Sequence, residues 1–257
     1  MNLLNLSIFQ YDIAWENKEA NFATIERLLS SSHANHDLVV LPEMFSTGFS
    51  MQSSLLAEPN SGKTVAWIKL LAQKYDTALC GSLIAEDGGR CFNRGFFITP
   101  DNEYFYDKRH LFRMGSESKH FSAGNDRLIV PFRGFNICLQ VCYDLRFPVW
   151  ARNVDNEYDL LLYVANWPQS RAKVWNALLV ARAIENMSYV CGANRIGTDG
   201  MGLHYGGDSS VIDFKGDEVV RLPNEEKNFT VQLSKEALTE FRKKFPAWKD
   251  ADRFELR

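Results

Sequence analysis

No apolar run in the sequence approaches the ~18 to 20 residues that span a bilayer. The start, Met1-Asn2-Leu3-Leu4-Asn5-Leu6, has no basic segment leading into an apolar core. A membrane role is therefore not expected, and the expected location is the cytoplasm. Excess charge of either sign is also missing: 29 Lys and Arg stand against 32 Asp and Glu, for a net charge of −3. Without a basic footprint the chain is not expected to bind nucleic acid or an anionic membrane surface. The five cysteines, Cys80, Cys91, Cys138, Cys142 and Cys191, form an odd set with no CxxC spacing. A disulfide framework and a zinc site both fit poorly, and reduced thiols fit well. No low-complexity stretch and no break in composition marks a linker. One domain over residues 1–257 is expected, with residues 247–257 as a charged tail carrying Lys249, Asp250, Asp252 and Arg253.

The 257 residues are 46% hydrophobic and 24% charged, enough to build a large core. Residues 3–12 alternate like a strand; Phe22, Ile25, Leu28 and Leu29 recur at helical spacing, and residues 37–41 form a short apolar run ending at Pro42-Glu43. After a loop over residues 45–60, Val65, Ile68, Leu71, Ala72 and Tyr75 predict a second helix. Strand-like runs at 77–85, 91–99 and 103–106 are separated by Asp87-Gly88-Gly89 and Pro100-Asp101-Asn102, which are turn chemistry. Further runs are read at 127–132, 135–141 and 159–165. A helix is read over 171–187 with Val174, Leu178, Ala181 and Ile184 on one stripe, and a strand over 188–193. A glycine-rich loop (197–207), strands at 209–214, 218–221 and 228–233, and a helix capped by Ser234 with Glu236 in its first turn complete the chain. About a dozen strands exceed one comfortable open sheet. The expected fold is α/β: a four-layer α-β-β-α sandwich of two mixed sheets with helices on the outer faces.

Within this frame one stretch stands out. In residues 135–141, Phe135, Ile137, Leu139 and Val141 take one face and Asn136, Cys138 and Gln140 the other, so Cys142 is delivered at a strand end, where α/β proteins bind ligands. A single cysteine is more often buried filler than a nucleophile. A nucleophilic thiol also needs a base, an oxyanion donor and usually a nearby positive charge. Histidine is the usual base, yet His33 and His36 read as solvated loop residues, and His110, His120 and His204 lie in or near loops with no recognisable motif.

Three segments supply the missing partners: Leu41-Pro42-Glu43-Met44-Phe45, Tyr106-Asp107-Lys108-Arg109-His110-Leu111-Phe112 and Val141-Cys142-Tyr143-Asp144-Leu145-Arg146-Phe147-Pro148. Together and in this order, each at an expected strand end, they resemble the signature regions of the carbon-nitrogen hydrolase (nitrilase) superfamily. The resemblance covers nearly the whole chain. It implies Glu43 as general base, Lys108 as oxyanion partner, Cys142 as nucleophile and Glu117, in Glu117-Ser118-Lys119, as a second glutamate. It also implies a Tyr143 backbone N–H on the oxyanion, and a pocket lined by Asn166, Trp167 and Phe45. The alternative for Glu43 and Lys108 is an ordinary solvated pair.

The segments after Glu43 and Cys142 look most like the ω-amidase branch, which hydrolyses the terminal amide of 2-oxoglutaramate or 2-oxosuccinamate. Such a substrate carries a distal carboxylate that a guanidinium can grip. Arg146 is the first candidate and Arg113 a weaker one, while an ion pair between Arg146 and Asp144 is the plain structural reading. Trp167 and Phe45 read equally well as core aromatics. Other small amides or carbamoyl amino acids, and an inactive scaffold acting through an interface, are the competing functions. The partners expected are a small-molecule amide and further copies of the chain in a homodimer or higher homo-oligomer. No metal and no organic cofactor is implied.

Overall fold

The computed structural model describes residues 2–32 and 34–255; Met1, His33, Leu256 and Arg257 lie outside the described residues, and with them the expectation for His33 and the end of the tail. Strand β1 (Leu3–Gln10) leads to helix α1 (Lys18–Ser30), whose first turn is capped by the Asn17 side chain and whose buried face carries Phe22, Ile25, Leu28 and Leu29. Strand β2 (Leu38–Val40), the short helix α2 (Ser53–Leu56), helix α3 (Lys63–Tyr75) and the meander β3 (Ala78–Asp87), β4 (Arg90–Ile98) and β5 (Glu103–Asp107) follow. Next come α4 (Glu117–His120), β6 (Leu128–Phe132), β7 (Phe135–Val141), the one-turn α5 (Pro148–Ala151), β8 (Leu160–Ala165), α6 (Ala172–Asn186) and β9 (Tyr189–Asn194). The glycine-rich stretch expected as a loop is instead a small hairpin, β10 (Ile196–Thr198) with β11 (His204–Gly206). Its turn closes because Asp199 accepts hydrogen bonds from the Met201 and Leu203 amides, both at 2.9 Å. Strands β12 (Ser210–Ile212), β13 (Glu218–Arg221) and β14 (Lys227–Ser234) lead to α7 (Lys235–Lys244), where Ser234 Oγ accepts from the Ala237 amide at 3.1 Å.

The strands form two six-stranded mixed sheets, ordered β14-β1-β2-β3-β4-β5 and β13-β12-β9-β8-β7-β6. In each the centre is parallel, β1 with β2 and β3 in one and β7 with β8 and β9 in the other, while the flanking pairings are antiparallel. Central strands covered on both faces must be apolar on both. In β8, Leu160, Leu162 and Val164 meet Leu6, Ile8 and Val40 of the other sheet in a shared core, and Leu161, Tyr163 and Ala165 turn towards α6. On the outer face of the first sheet, Phe9, Val39 and Leu79 pack with Phe22, Ile25 and Ile68 of α1 and α3. The sequence is therefore a four-layer α-β-β-α sandwich, as its patterning predicts. Among the described residues no helix is long and apolar enough to cross a membrane.

Two readings need correction. The stripe expected to bury α6 lies only at the edge of the packed face: the buried residues are Trp175, Leu179, Arg182, Ala183 and Asn186, Val174 and Leu178 are partly buried beside them, and Ile184 is 52% exposed. The helix carries apolar side chains on two faces, and Trp175, the bulkiest, decides which one docks. His36 is not simply solvated, since its Nδ1 lies 2.5 Å from Ser7 Oγ and its ring meets Phe9 edge-on. The tail up to Glu255 lies beside Arg152–Asp155 of the same chain.

Candidate active site

The carboxyl ends of four strands converge on one spot. Glu43 follows β2, Lys108 follows β5, Cys142 follows β7 and Asn166 follows β8. Glu43, Lys108 and Glu117 are all fully buried, which excludes the solvated pair that isolated charges suggest. Lys108 Nζ donates to Glu43 Oε1 at 2.8 Å and to both oxygens of Glu117 at 3.0 Å. Asn93 bridges the two acids, with Nδ2 donating to Glu43 Oε1 at 2.8 Å and Glu117 Oε1 at 2.9 Å. Behind it Ser82 Oγ donates to Asn93 Oδ1 at 2.9 Å and accepts the Met44 amide at 2.8 Å. The second oxygen of Glu43 accepts the Asn166 amide at 2.8 Å, and the Asn166 side-chain NH2 donates to the Glu43 carbonyl. Glu43 is thus held by three donors of different origin, so its direction is fixed before any ligand arrives.

The thiol is presented on a turn that ordinary residues avoid. Cys142 has φ 44°, in the left-handed region, and opens a 3₁₀ turn through Arg146. Met44 (φ 43°) and Ser116 (φ 60°) adopt the same region beside Glu43 and Glu117. Such backbone costs of order 1–3 kcal/mol per residue and persists only where its surroundings enforce it. Around Cys142 the enforcement comes from buried Asp144, which accepts from the Val141 amide at 3.0 Å, Tyr106 OH at 2.7 Å and the His110 amide at 2.9 Å. His110 Nδ1 lies 2.8 Å from the same carboxylate, and its ring stacks on Phe147 at 3.8 Å. Asp144 thereby ties the Lys108 loop to the nucleophile turn, and it is not the ion-pair partner of Arg146.

Electrostatics follow from the burial. Desolvation pushes the Cys142 thiol well above its ordinary pKa, the Glu43 carboxylate pushes it further, and Lys108 opposes both. Burial pulls the Lys108 ammonium down, yet Glu117, Glu43 and Cys142 outweigh that and hold its pKa above the usual lysine value. Glu117 is raised by burial, with Lys108 lowering it and Glu43 raising it. The resting state these directions describe is a neutral thiol beside a charged lysine.

A cavity of about 390 Å³ opens over this cluster, lined by Glu43, Lys108, Cys142, Tyr143, Arg146, Asn166 and Trp167 among others. Arg146 lies over the Trp167 ring at 5.3 Å, and among the described residues no ion pair holds it elsewhere. Phe45 is not in the wall. It is fully buried against Phe22 and Phe96, because the turn at Met44 ends the alternation that would have kept it on the side of Glu43. Arg113 also lies outside the lining. Sequence reasoning missed Asn93, Asp144 and Arg171, and with them the apolar rim of Trp15, Phe49, Met51, Met201 and Leu203. Only Asn93 left a signal, a polar residue between Phe92 and the Phe96-Phe97 pair of an apolar strand. Among the described residues no cluster of three or more His, Cys, Asp or Glu is arranged to hold a metal.

The chain is similar to known proteins along nearly its whole length. Omega-amidase YafV of Escherichia coli (strain K12) is 46% identical over 98% of both chains. The 2-oxoglutaramate amidase of Bacillus subtilis is 27% identical over 95% of this chain and 96% of its own. Among solved structures, XC1258 from Xanthomonas campestris, a CN-hydrolase superfamily protein with an arsenic adduct in its active site, superposes with a TM-score of 0.97 at 44% identity over all of both chains. The family profile described as Carbon-nitrogen hydrolase matches residues 5–243. With that match spanning almost the whole sandwich, the chain belongs to the carbon-nitrogen hydrolase family.

Proposed function

We propose that the protein is an ω-amidase, a thiol amidohydrolase that releases ammonia from the terminal amide of a short 2-oxo dicarboxylic acid monoamide such as 2-oxoglutaramate or 2-oxosuccinamate. The observation that carries the reading is the closed cluster of Glu43, Lys108 and Glu117 at the floor of a cavity whose wall presents Cys142. Similarity to the ω-amidase of E. coli and the 2-oxoglutaramate amidase of B. subtilis supports the substrate class.

The chemistry starts from a neutral thiol. Glu43 takes its proton as sulfur bonds to the amide carbon, and the oxyanion is met by the Lys108 ammonium and the Tyr143 backbone N–H. The protonated Glu43 then gives its proton to the amide nitrogen, the carbon–nitrogen bond breaks and ammonia leaves a thioester on Cys142. Water, deprotonated by Glu43, attacks the thioester and returns the thiol. Glu117 keeps Lys108 in place through two 3.0 Å contacts and shares Asn93 with Glu43. Asn166 lines the cavity, and its buried Oδ1 has no hydrogen-bond partner among the described residues. It is suited to accept an N–H of the scissile amide. Arg146, which lies over the Trp167 ring, takes the distal carboxylate. Phe45 contributes only from behind, by supporting the loop that carries Glu43.

A reducing cytoplasm suits a free thiol nucleophile. One folding unit with a C-terminal tail accounts for the chain. Val149 and Ile184, about half exposed on the outer helices, suit a homo-oligomer. A panel of amides tests the substrate class. 2-Oxoglutaramate should release ammonia far faster than a neutral aliphatic amide or a carbamoyl amino acid. Equal rates across the panel would replace this reading with a general amidase, and no release from any member would favour a non-catalytic scaffold.

A further inference from the structure

The cavity contains a second cation that the chemistry above leaves without a task. Arg171 ends the 3₁₀ turn Gln169–Arg171 that runs into α6, and its guanidinium lies over the Phe112 ring at 5.3 Å. Arg146 lies over Trp167 at the same distance, so two guanidiniums each lie over an aromatic ring of one cavity. The two are linked through the main chain. Trp167 Nε1 donates to the Arg171 carbonyl at 2.9 Å, which fixes the ring on which Arg146 rests, while the Arg171 side chain serves a different wall.

Among the described residues the arginine ion pairs involve neither Arg146 nor Arg171. Besides the catalytic Glu43, two acids line the cavity, and both are engaged. Glu16 accepts from Ser50 Oγ at 2.6 Å and Gln52 Nε2 at 3.4 Å. Asp199 accepts from Tyr205 OH at 2.7 Å and from the hairpin amides described above. A ligand therefore meets two unpaired cations and two occupied carboxylates.

One carboxylate fills one guanidinium fork. A 2-oxo acid offers a further acceptor beside its carboxylate, the keto oxygen. A 2-amino acid places an ammonium there, which a second guanidinium repels. We propose that Arg171 reads the 2-oxo group, donating to the keto oxygen while Arg146 holds the carboxylate, and so selects 2-oxo monoamides over their unsubstituted and 2-amino counterparts. This inference rests on the amidase reading and goes beyond it by naming the residue that sets the preference.

The test compares kcat/KM for 2-oxoglutaramate, glutaramate (the same chain without the keto group) and glutamine in wild type, Arg171→Gln, Arg171→Lys and Arg146→Gln. Arg171→Gln should cut kcat/KM for 2-oxoglutaramate about tenfold or more, the worth of a charge-assisted hydrogen bond, and leave glutaramate within about twofold. Glutamine should gain relative to 2-oxoglutaramate. Arg171→Lys keeps the charge and should recover part of the preference, and it carries the comparison if the Gln variant fails to fold. Arg146→Gln should lower all three substrates alike, since each carries the carboxylate. An unchanged 2-oxoglutaramate to glutaramate ratio in both Arg171 variants would overturn the assignment while leaving the amidase reading intact. A wild-type protein inert towards all three would overturn both.

Discussion

Cys142 is held at φ 44° beside an acid, and burial keeps its proton on. In the proposed mechanism the thiol is therefore activated in the act of attack, by Glu43, and is not stored as a thiolate. A thiol pKa raised above its ordinary value leaves the group neutral below that pKa, so reactivity is present above it and lost as pH falls. Alkylation of Cys142 in the resting protein should climb with pH through and beyond the ordinary thiol range. Thiolate absorbance titrating below neutrality would contradict this. Asn93 poses a second question at this scale. Its one amide group satisfies Glu43 and Glu117 together, so Asn93→Ala leaves two buried acceptors short of a donor. That change should cost about 1–3 kcal/mol in chemical denaturation and lower kcat more than it raises KM. Glu43, Lys108 and Cys142 stood out in the sequence because the segments that carry them resemble the family's signature regions, each at an expected strand end. Asn93, Asp144 and Arg171 did not, because their roles exist only once strands and loops distant in sequence are brought together.

The elements were legible wherever a single period governed them. β8 alternates between two cores, and α1 shows one apolar stripe, so each was readable as a strand or helix with its buried face. Helix α6 shows the limit, since periodicity finds its apolar stripes and only packing against the sheet chooses between them. The choice is sharp. Gly192 on β9 leaves room for Trp175 and Leu179, and a Cβ there would stand 2.6 Å from Trp175 Cζ2 and 2.7 Å from Leu179 Cδ1. Gly192→Ala should therefore destabilise the fold by about 1–3 kcal/mol through overpacking. A urea midpoint equal to wild type would show that α6 can slide to make room.

On the scale of the whole molecule, one core joins the two sheets and the site sits where their strand ends meet. Leu162, fully buried between the sheets, contributes to both, and Leu162→Ala should cost about 2–5 kcal/mol without splitting the transition. Two separate transitions would argue against one folding unit. The sandwich was readable from strand count and the apolar faces, whereas the cavity was not, because its rim comes from Trp15, the loop of residues 45–60 and the β10–β11 hairpin together. That assembly places a thiol, a carboxylate and an ammonium beside a cavity with two arginines, and the proposed ω-amidase chemistry through Cys142 rests on it. The most direct measurement is ammonia release from 2-oxoglutaramate at neutral pH by wild type and by Cys142→Ala, with unfolding midpoints taken on both. The expected result is turnover by the wild type and only background release by a Cys142→Ala protein that is equally folded. Sustained release by Cys142→Ala, or none by the folded wild type, would contradict the account.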